Sequence, residues 1–188
     1  MRTDDLFSIP LNHDLQRLAQ SFDCGGPLVF NSFLRDEKAL DPAFGKTFVL
    51  LTEDVRSIIG YYNICAGEMV MYNEYGAIRC GGAVYINYLA VDKRYRGRVA
   101  VAGGAGSAEL RWSDILLGDC LDRISRIRDE CIGFSFVTLS STKDGFDLYR
   151  NRFKFELIDE ADDISFYDPD KDSSGGIKMY LPLDYEDI

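Results

Sequence analysis

Residues 83–98 read A-V-Y-I-N-Y-L-A-V-D-K-R-Y-R-G-R. Val84, Tyr85, Ile86, Tyr88, Leu89 and Val91 form a nearly continuous β-branched and aromatic run, the pattern of a central strand covered on both faces. Asp92 ends it, and Lys93, Arg94, Arg96 and Arg98 follow with Gly97 among them. A glycine lets backbone N–H groups approach a ligand closely, and the flanking cations suit a phosphate. The same residues also suit a strand that leaves the core through a solvated basic turn.

Towards the C-terminus, V-A-V-A-G-G-A-G-S-A-E-L-R-W, residues 99–112, stands between the turn and a helical pattern marked by Leu117, Cys120, Leu121, Ile124 and Ile127. Ser113 is the expected N-cap of that helix, with Ser107 the alternative. A helix start there brings free N–H groups to the arginine turn, a setting that suits a pyrophosphate. Cys131–Leu139 reads as a buried strand, and Phe146, Tyr149 and Phe153 fall at i, i+3, i+7 on a short helix after S-S-T-K-D-G. An acidic loop over residues 159–176 leads to a last strand, Ile177–Leu183; the loop has no EF-hand spacing and reads as a solvated face.

Towards the N-terminus, Glu68–Gly82 reads as a polar connection, preceded by a hairpin of Lys46–Thr52 and Ser57–Ala66. Residues 11–22 carry Leu11, Leu15, Leu18 and Phe22 at helical spacing, with Asn12 as N-cap. After F-D-C-G-G-P, Pro27 opens a second helix with Leu28, Phe30, Phe33 and Leu34 near one face. These elements predict an α/β (α+β) chain with a mixed sheet flanked by helices, and 188 residues suit a single domain, 1–188.

The net charge of −10 is uneven: seven cations face twelve acids in residues 1–92, twelve face eight in 93–154, and two face eleven in 155–188. The middle third is therefore the anion-binding region. Five cysteines without a C-x-x-C pair read as buried free thiols, and one histidine, His13, argues against a Ser-His-Asp mechanism and against a metal site. No apolar run reaches the roughly 20 residues of a membrane helix, and M-R-T-D-D-L-F has no signal pattern. A cytoplasmic protein is the expectation, with no membrane partner.

Leu89–Arg98, L-A-V-D-K-R-Y-R-G-R, resembles the acetyl-CoA signature of the GCN5-related N-acetyltransferase (GNAT) superfamily, a strand ending L-x-V followed by R/Q-x-x-G-x-G/A. Arg94, Tyr95, Arg96 and Gly97 fill its first four places; Val99 stands where the second small residue belongs, and residues 99–112 read as an insertion. D-L-Y-R-N-R-F-K-F, Asp147–Phe155, resembles the family's closing aromatic-Tyr-x-x-x-G-F segment, with Lys154 in place of the glycine. Gly60-Tyr61-Tyr62 is similar to a G-Y-Y found in such enzymes, although an aromatic pair on an inner strand explains it as well. F-D-C-G followed by a helix and T-F-V-L is more loosely similar to the branch related to tRNA-acetylating toxins.

The resemblance implies a mixed, mostly antiparallel central sheet flanked by helices on both faces, and acetyl transfer from acetyl-CoA to a primary amine of a small molecule, peptide or protein. Aminoacyl-tRNA is the alternative acceptor, and a degenerate, non-catalytic CoA-binding module the alternative role. It further implies cofactor binding by Leu89, Ala90, Val91, Arg94, Tyr95, Arg96, Gly97, Arg98, Ser113 and Ser141, with Tyr149 as general acid. Asn87, together with Tyr85 and Glu68, would order a water. The acidic composition disfavours nucleic acid, and a homodimer is left open.

Overall fold

Asn12 Oδ1 accepts the Leu15 N–H at 2.9 Å, the capping bond its position predicts, and the first helix begins there. The computed structural model describes residues 7–103, 109–158 and 176–183. Its elements are β1 (Ile9–Pro10), α1 (His13–Gln16), α2 (Leu28–Arg35), β2 (Lys46–Leu51), β3 (Ile58–Asn73), β4 (Gly76–Val91), β5 (Val99–Val101), β6 (Leu110–Arg111), α3 (Trp112–Glu130), β7 (Phe136–Ser141), β8 (Glu156–Leu157) and β9 (Ile177–Pro182). Short 3₁₀ turns follow α1, α2 and β7, and a π-helical turn spans Leu148–Arg152. This is a mixed α+β fold whose strands pair mostly antiparallel. The chain gathers into two compact units, Met1–Cys65 with Tyr88–Ile127 and Ala66–Asn87 with Arg128–Ile188.

In the first unit the strand order is β1-β2-β3-β4. Pro10 lies opposite Phe48 on the outermost strand, where its missing donor costs no ladder bond. Phe22, Phe33, Leu34, Val49, Ile58, Tyr61 and Ala90 are buried in one cluster. Tyr61 meets Phe22 edge-on with ring centroids at 5.5 Å, and its hydroxyl donates to the Phe30 carbonyl at 2.7 Å. Beside it Gly60 has no room for a side chain, because a Cβ would stand 2.9 Å from both the Ala90 carbonyl and Leu116. That absence lets α3 and the end of β4 close on β3.

A polar cluster lies on the opposite face of β3, where Tyr62 stacks on Phe48. Tyr62 donates to Asp119 at 2.7 Å, Ser8 also hydrogen-bonds Asp119, and Arg123 donates to the Tyr62 hydroxyl at 2.7 Å and to the Ser8 carbonyl at 2.8 Å. Burial pushes the Tyr62 phenol up, so it stays a donor. The cluster pins β1 to α3, and leaving any one of its buried groups without its partner would cost about 1–3 kcal/mol.

In the second unit β4 pairs with β7 in parallel, from Ala83↔Phe136 to Ile86↔Leu139, and β7 pairs antiparallel with β9, which also carries β8. Several expectations are corrected here. Glu68–Gly82 is no connection: β3 runs on to Asn73 and β4 starts at Gly76, so one long hairpin replaces it. The Cys131–Leu139 run becomes a strand only at Phe136. Leu28 is 82% exposed, and the buried side chains of α2 are Asn31, Phe33 and Leu34. The acidic loop lies outside the described residues up to 175.

Candidate functional site

Asp92 shapes the turn that follows β4. Its carboxylate is fully buried and accepts the Arg94 N–H at 2.9 Å, Arg94 Nε at 2.8 Å, Arg94 Nη2 at 2.9 Å and the Asp23 N–H at 3.1 Å. Its carbonyl accepts the N–H groups of Tyr95 at 2.8 Å and Arg96 at 3.0 Å. Burial raises the Asp92 carboxyl, but the hydrogen bonds from Arg94 and Asp23 outweigh it and hold it below the usual carboxylate range. Arg94, expected among the phosphate ligands, thus spends its guanidinium inside the turn. Arg96 and Arg98 are exposed. Gly97 has φ +70°, and no atom lies within 4 Å of where a side chain would begin, so the turn presents bare backbone to solvent between two arginines.

The F-D-C-G segment packs directly behind this turn. Lys93 donates its N–H to the Asp23 carbonyl at 2.8 Å and its ammonium to the Asp23 carboxylate at 2.7 Å. The same carboxylate accepts the Gly25 N–H at 2.9 Å and the Asn31 amide at 3.1 Å, while Asn31 Oδ1 accepts the Cys24 N–H at 3.0 Å. The Lys93 ammonium is the main cause holding the Asp23 carboxyl down at about 2. Two segments that resembled acetyltransferase motifs separately are therefore one hydrogen-bonded structure. Sequence reasoning missed Asp23 and Asn31 as members of it; the available signal was D-C-G, an aspartate two residues before a glycine, which closes an Asx-turn.

Residues 99–112 are not simply a loop. Val99 pairs with Arg111 and Val101 with Leu110, forming a two-stranded antiparallel ribbon, with residues 104–108 outside the described set. The ribbon returns the chain to the turn, where the Trp112 N–H reaches the Arg98 carbonyl at 3.4 Å and the Trp112 ring meets Tyr95 edge-on at 5.7 Å. Helix α3 starts at Trp112, so Ser113 is its second residue and not its cap. The cap is made instead by Asp114, which accepts the Arg111 N–H at 2.7 Å, the backward bond of a capping box. Ser107 lies outside the described residues. The outcome is that the exposed Arg98 and Arg111 flank the start of a nineteen-residue helix, whose first turn carries partial positive charge, while the exposed Arg96 donates from its guanidinium to the Cys24 carbonyl at 3.5 Å.

Of the strand residues expected to hold a cofactor, Ala90 and Val91 are buried and Leu89 is half-buried. Among the described residues the β4–β7 register stops at Ile86↔Leu139, although β4 continues to Val91.

In the second unit Tyr149 is 8% exposed and sits in the π-helical turn, a distortion frequent at functional sites. Phe155 returns its N–H to the Tyr149 carbonyl at 3.0 Å and meets the Tyr149 ring edge-on at 5.7 Å. Lys154, in the glycine's place, has φ +61°. Ser141, the last residue of β7, donates its hydroxyl to the Thr142 carbonyl at 2.8 Å. Tyr85 donates to the Glu68 carbonyl at 2.8 Å, and Asn87 follows on the same exposed face of β4.

No protein-family model and no curated protein matches this chain. Solved structures do match it. A bacterial toxin aligns at TM-score 0.66 and 19% identity over 94% of this chain and 90% of its own. AtaT complexed with acetyl-methionyl-tRNAfMet aligns at 0.61 and 17% over 95% of each chain. A tyrosine-to-phenylalanine variant of the AtaT toxin, bound to the C-terminus of the antitoxin AtaR and acetyl-CoA, aligns at 0.57 and 18% over 95% of this chain and 94% of its own. What is shared at these identities is the fold.

Proposed function

We propose that this chain is an acetyl-CoA-dependent N-acetyltransferase acting on a primary amine of a small molecule, peptide or protein. The observation that carries the reading is the turn itself: Asp92 fixes it, Gly97 leaves it open, Arg96 and Arg98 flank that glycine, and Arg98 and Arg111 stand at the start of α3. A diphosphate suits that chemistry, because a helix N-terminus and paired guanidinium groups both favour a compact anion. The fold shared with AtaT, which has been solved with acetyl-CoA, supports the same ligand.

When bound, acetyl-CoA supplies an acetyl group activated as a thioester. Arg96, Arg98 and Arg111 would hold its phosphates, with the N–H groups around Gly97 and Ser113 beside them. Leu89, Ala90 and Val91, which extend past the β4–β7 register, would offer backbone groups to the pantetheine arm as an added strand does. Tyr149 would give a proton to the departing sulfur, and Asn87, Tyr85 and Glu68 would order water near the amine. Positioning supplies most of the acceleration in this scheme, with acid–base help of about 10² to 10⁴.

Aminoacyl-tRNA is a second reading, supported by the AtaT complex with acetyl-methionyl-tRNAfMet. Charge weighs against it. The pI is near 4.6, and three cations that could have met RNA are engaged internally: Arg123 with Tyr62 and Ser8, Arg128 with the Leu183 carbonyl, and Arg150 with the Phe155 carbonyl. Phosphate contacts need cations to spare. The test is acetyl-CoA-dependent thiol release against a panel of amines, peptides and charged tRNA. Release with the simple amines is the expected result; release with charged tRNA alone transfers the assignment to the second reading, and no release with any acceptor overturns both.

A further inference from the structure

We propose that Asp23 is a positioning residue for the cofactor turn, acting through Lys93 and not by touching the ligand; this rests on the reading above. Its carboxylate is bonded to three segments at once: its own turn through the Gly25 N–H, α2 through the buried Asn31 amide, and the arginine turn through the Lys93 ammonium. Backbone bonds run alongside, from Lys93 N–H to the Asp23 carbonyl and from Asp23 N–H to the Asp92 carboxylate. Asp92 is the group that shapes the turn. The F-D-C-G segment therefore holds the turn from behind at both Asp92 and Lys93, and Asp23 is the residue common to all of these bonds, its side chain making the three to Gly25, Asn31 and Lys93.

The proposal has a distinguishing sign. Asp23 is a negative charge next to an anion site, so a purely through-space effect predicts that neutralising it strengthens binding of an anionic ligand. Positioning predicts the reverse, because Lys93 and the segment behind the turn are released. The affected ion pair is partly exposed, with side-chain exposures of 62% and 42%, so the effect is modest, about three- to fivefold in affinity, the upper range for exposed pairs.

The experiment is calorimetric titration with CoA of the wild type, Asp23→Asn, Lys93→Gln and the double variant, at a temperature well below every melting midpoint so that each sample is fully folded. Asp23→Asn is expected to weaken CoA binding about three- to fivefold, and to add little in the Lys93→Gln background, since one pair is being removed. Lys93→Gln alters an exposed side chain and serves if Asp23→Asn does not fold; by itself it must weaken binding to a similar degree. Equal or tighter binding by Asp23→Asn, full additivity in the double variant, or unchanged binding by Lys93→Gln overturns the inference while leaving the cofactor reading intact. A folded wild type that binds no CoA removes both.

Discussion

Val99 and Lys154 each stand where the GNAT pattern has a small residue, and the backbone accommodates them differently. At Val99 the chain enters an extended ribbon. Val99 becomes the first residue of β5, pairs with Arg111, and the ribbon carries the chain back so that Trp112 rejoins Arg98. No left-handed backbone is needed there, and Val99 is half-exposed. At Lys154 the backbone takes the strain, with φ +61° on a residue that carries a Cβ. A left-handed L-residue costs roughly 1–2 kcal/mol. What that strain maintains is visible: the sharp turn at Lys154 lets Phe155 come back to hydrogen-bond the Tyr149 carbonyl and pack on its ring. A short ribbon returns the chain to the turn in one unit, and a strained lysine stands beside the tyrosine's partner Phe155 in the other.

The largest effect should come from the tyrosine. Tyr149→Phe is expected to lower kcat about 10²-fold, the low end for a lost general acid, with CoA affinity and melting midpoint nearly unchanged. Turnover per folded molecule equal to that of the wild type would reduce Tyr149 to a packed aromatic and remove the reason for the strain beside it. Next is Arg94→Ala, which leaves the buried Asp92 carboxylate with only its backbone donors. It should cost about 2 kcal/mol, within the range for a hydrogen bond to a charged group, read from the urea midpoint. Stability within about 0.5 kcal/mol of wild type, the range of a neutral surface change, would mean Arg94 is available to ligand after all.

Smaller still is the contrast between the two departures. Lys154→Gly should stabilise the chain by about 1 kcal/mol, by relief of the left-handed penalty net of glycine's own entropy. Val99→Gly should not stabilise it, because β5 has no strain to relieve. Equal responses of the two sites in thermal unfolding would dissolve the comparison.

The smallest effect is on pH. The Asp23 carboxyl is held at about 2 against its ordinary 3.8. A depressed carboxyl contributes stability that is complete above the unfolded value and fades as the pH falls through the folded one. The difference in urea midpoint between wild type and Asp23→Asn should therefore be constant above about pH 4 and shrink between 3.8 and about 2. A difference that persists unchanged to pH 2 would show that the Lys93 pair is not its source.

The central strand was legible from its β-branched and aromatic run, but the expected cover on both faces holds only at its end: Val84 and Ile86 are buried while Tyr85 and Asn87 are exposed, the alternation of a strand with one open face, and Ala90 and Val91 are both buried. The long β3–β4 hairpin was hidden because Glu68, Glu74 and Arg79 make its outer part look like a polar connection. On α2 Phe33 and Leu34 are buried and Phe30 packs against the core as the spacing predicts, but Leu28 is exposed and Asn31 takes an inward place, drawn there by its bonds to Asp23 and Cys24. The engagement of Arg94 by Asp92 was hidden too. Its two-residue spacing is unremarkable in sequence, and only the folded turn shows that the carboxylate is buried. The ribbon at 99–111 escaped because paired strands of two or three residues carry too little periodicity to read.

The claim on which all of this rests is that the turn from Asp92 to Arg98 is built to hold a diphosphate at the start of α3. It is tested most directly by calorimetric titration of CoA into the wild type and into an Arg96→Ser, Arg98→Ser double variant. Saturable, salt-sensitive binding by the wild type, weakened at least tenfold in the variant, is the predicted result, about 1.4 kcal/mol or more for two charge-assisted contacts. No heat of binding from a folded wild type at millimolar CoA, or equal binding by the two proteins, would contradict it.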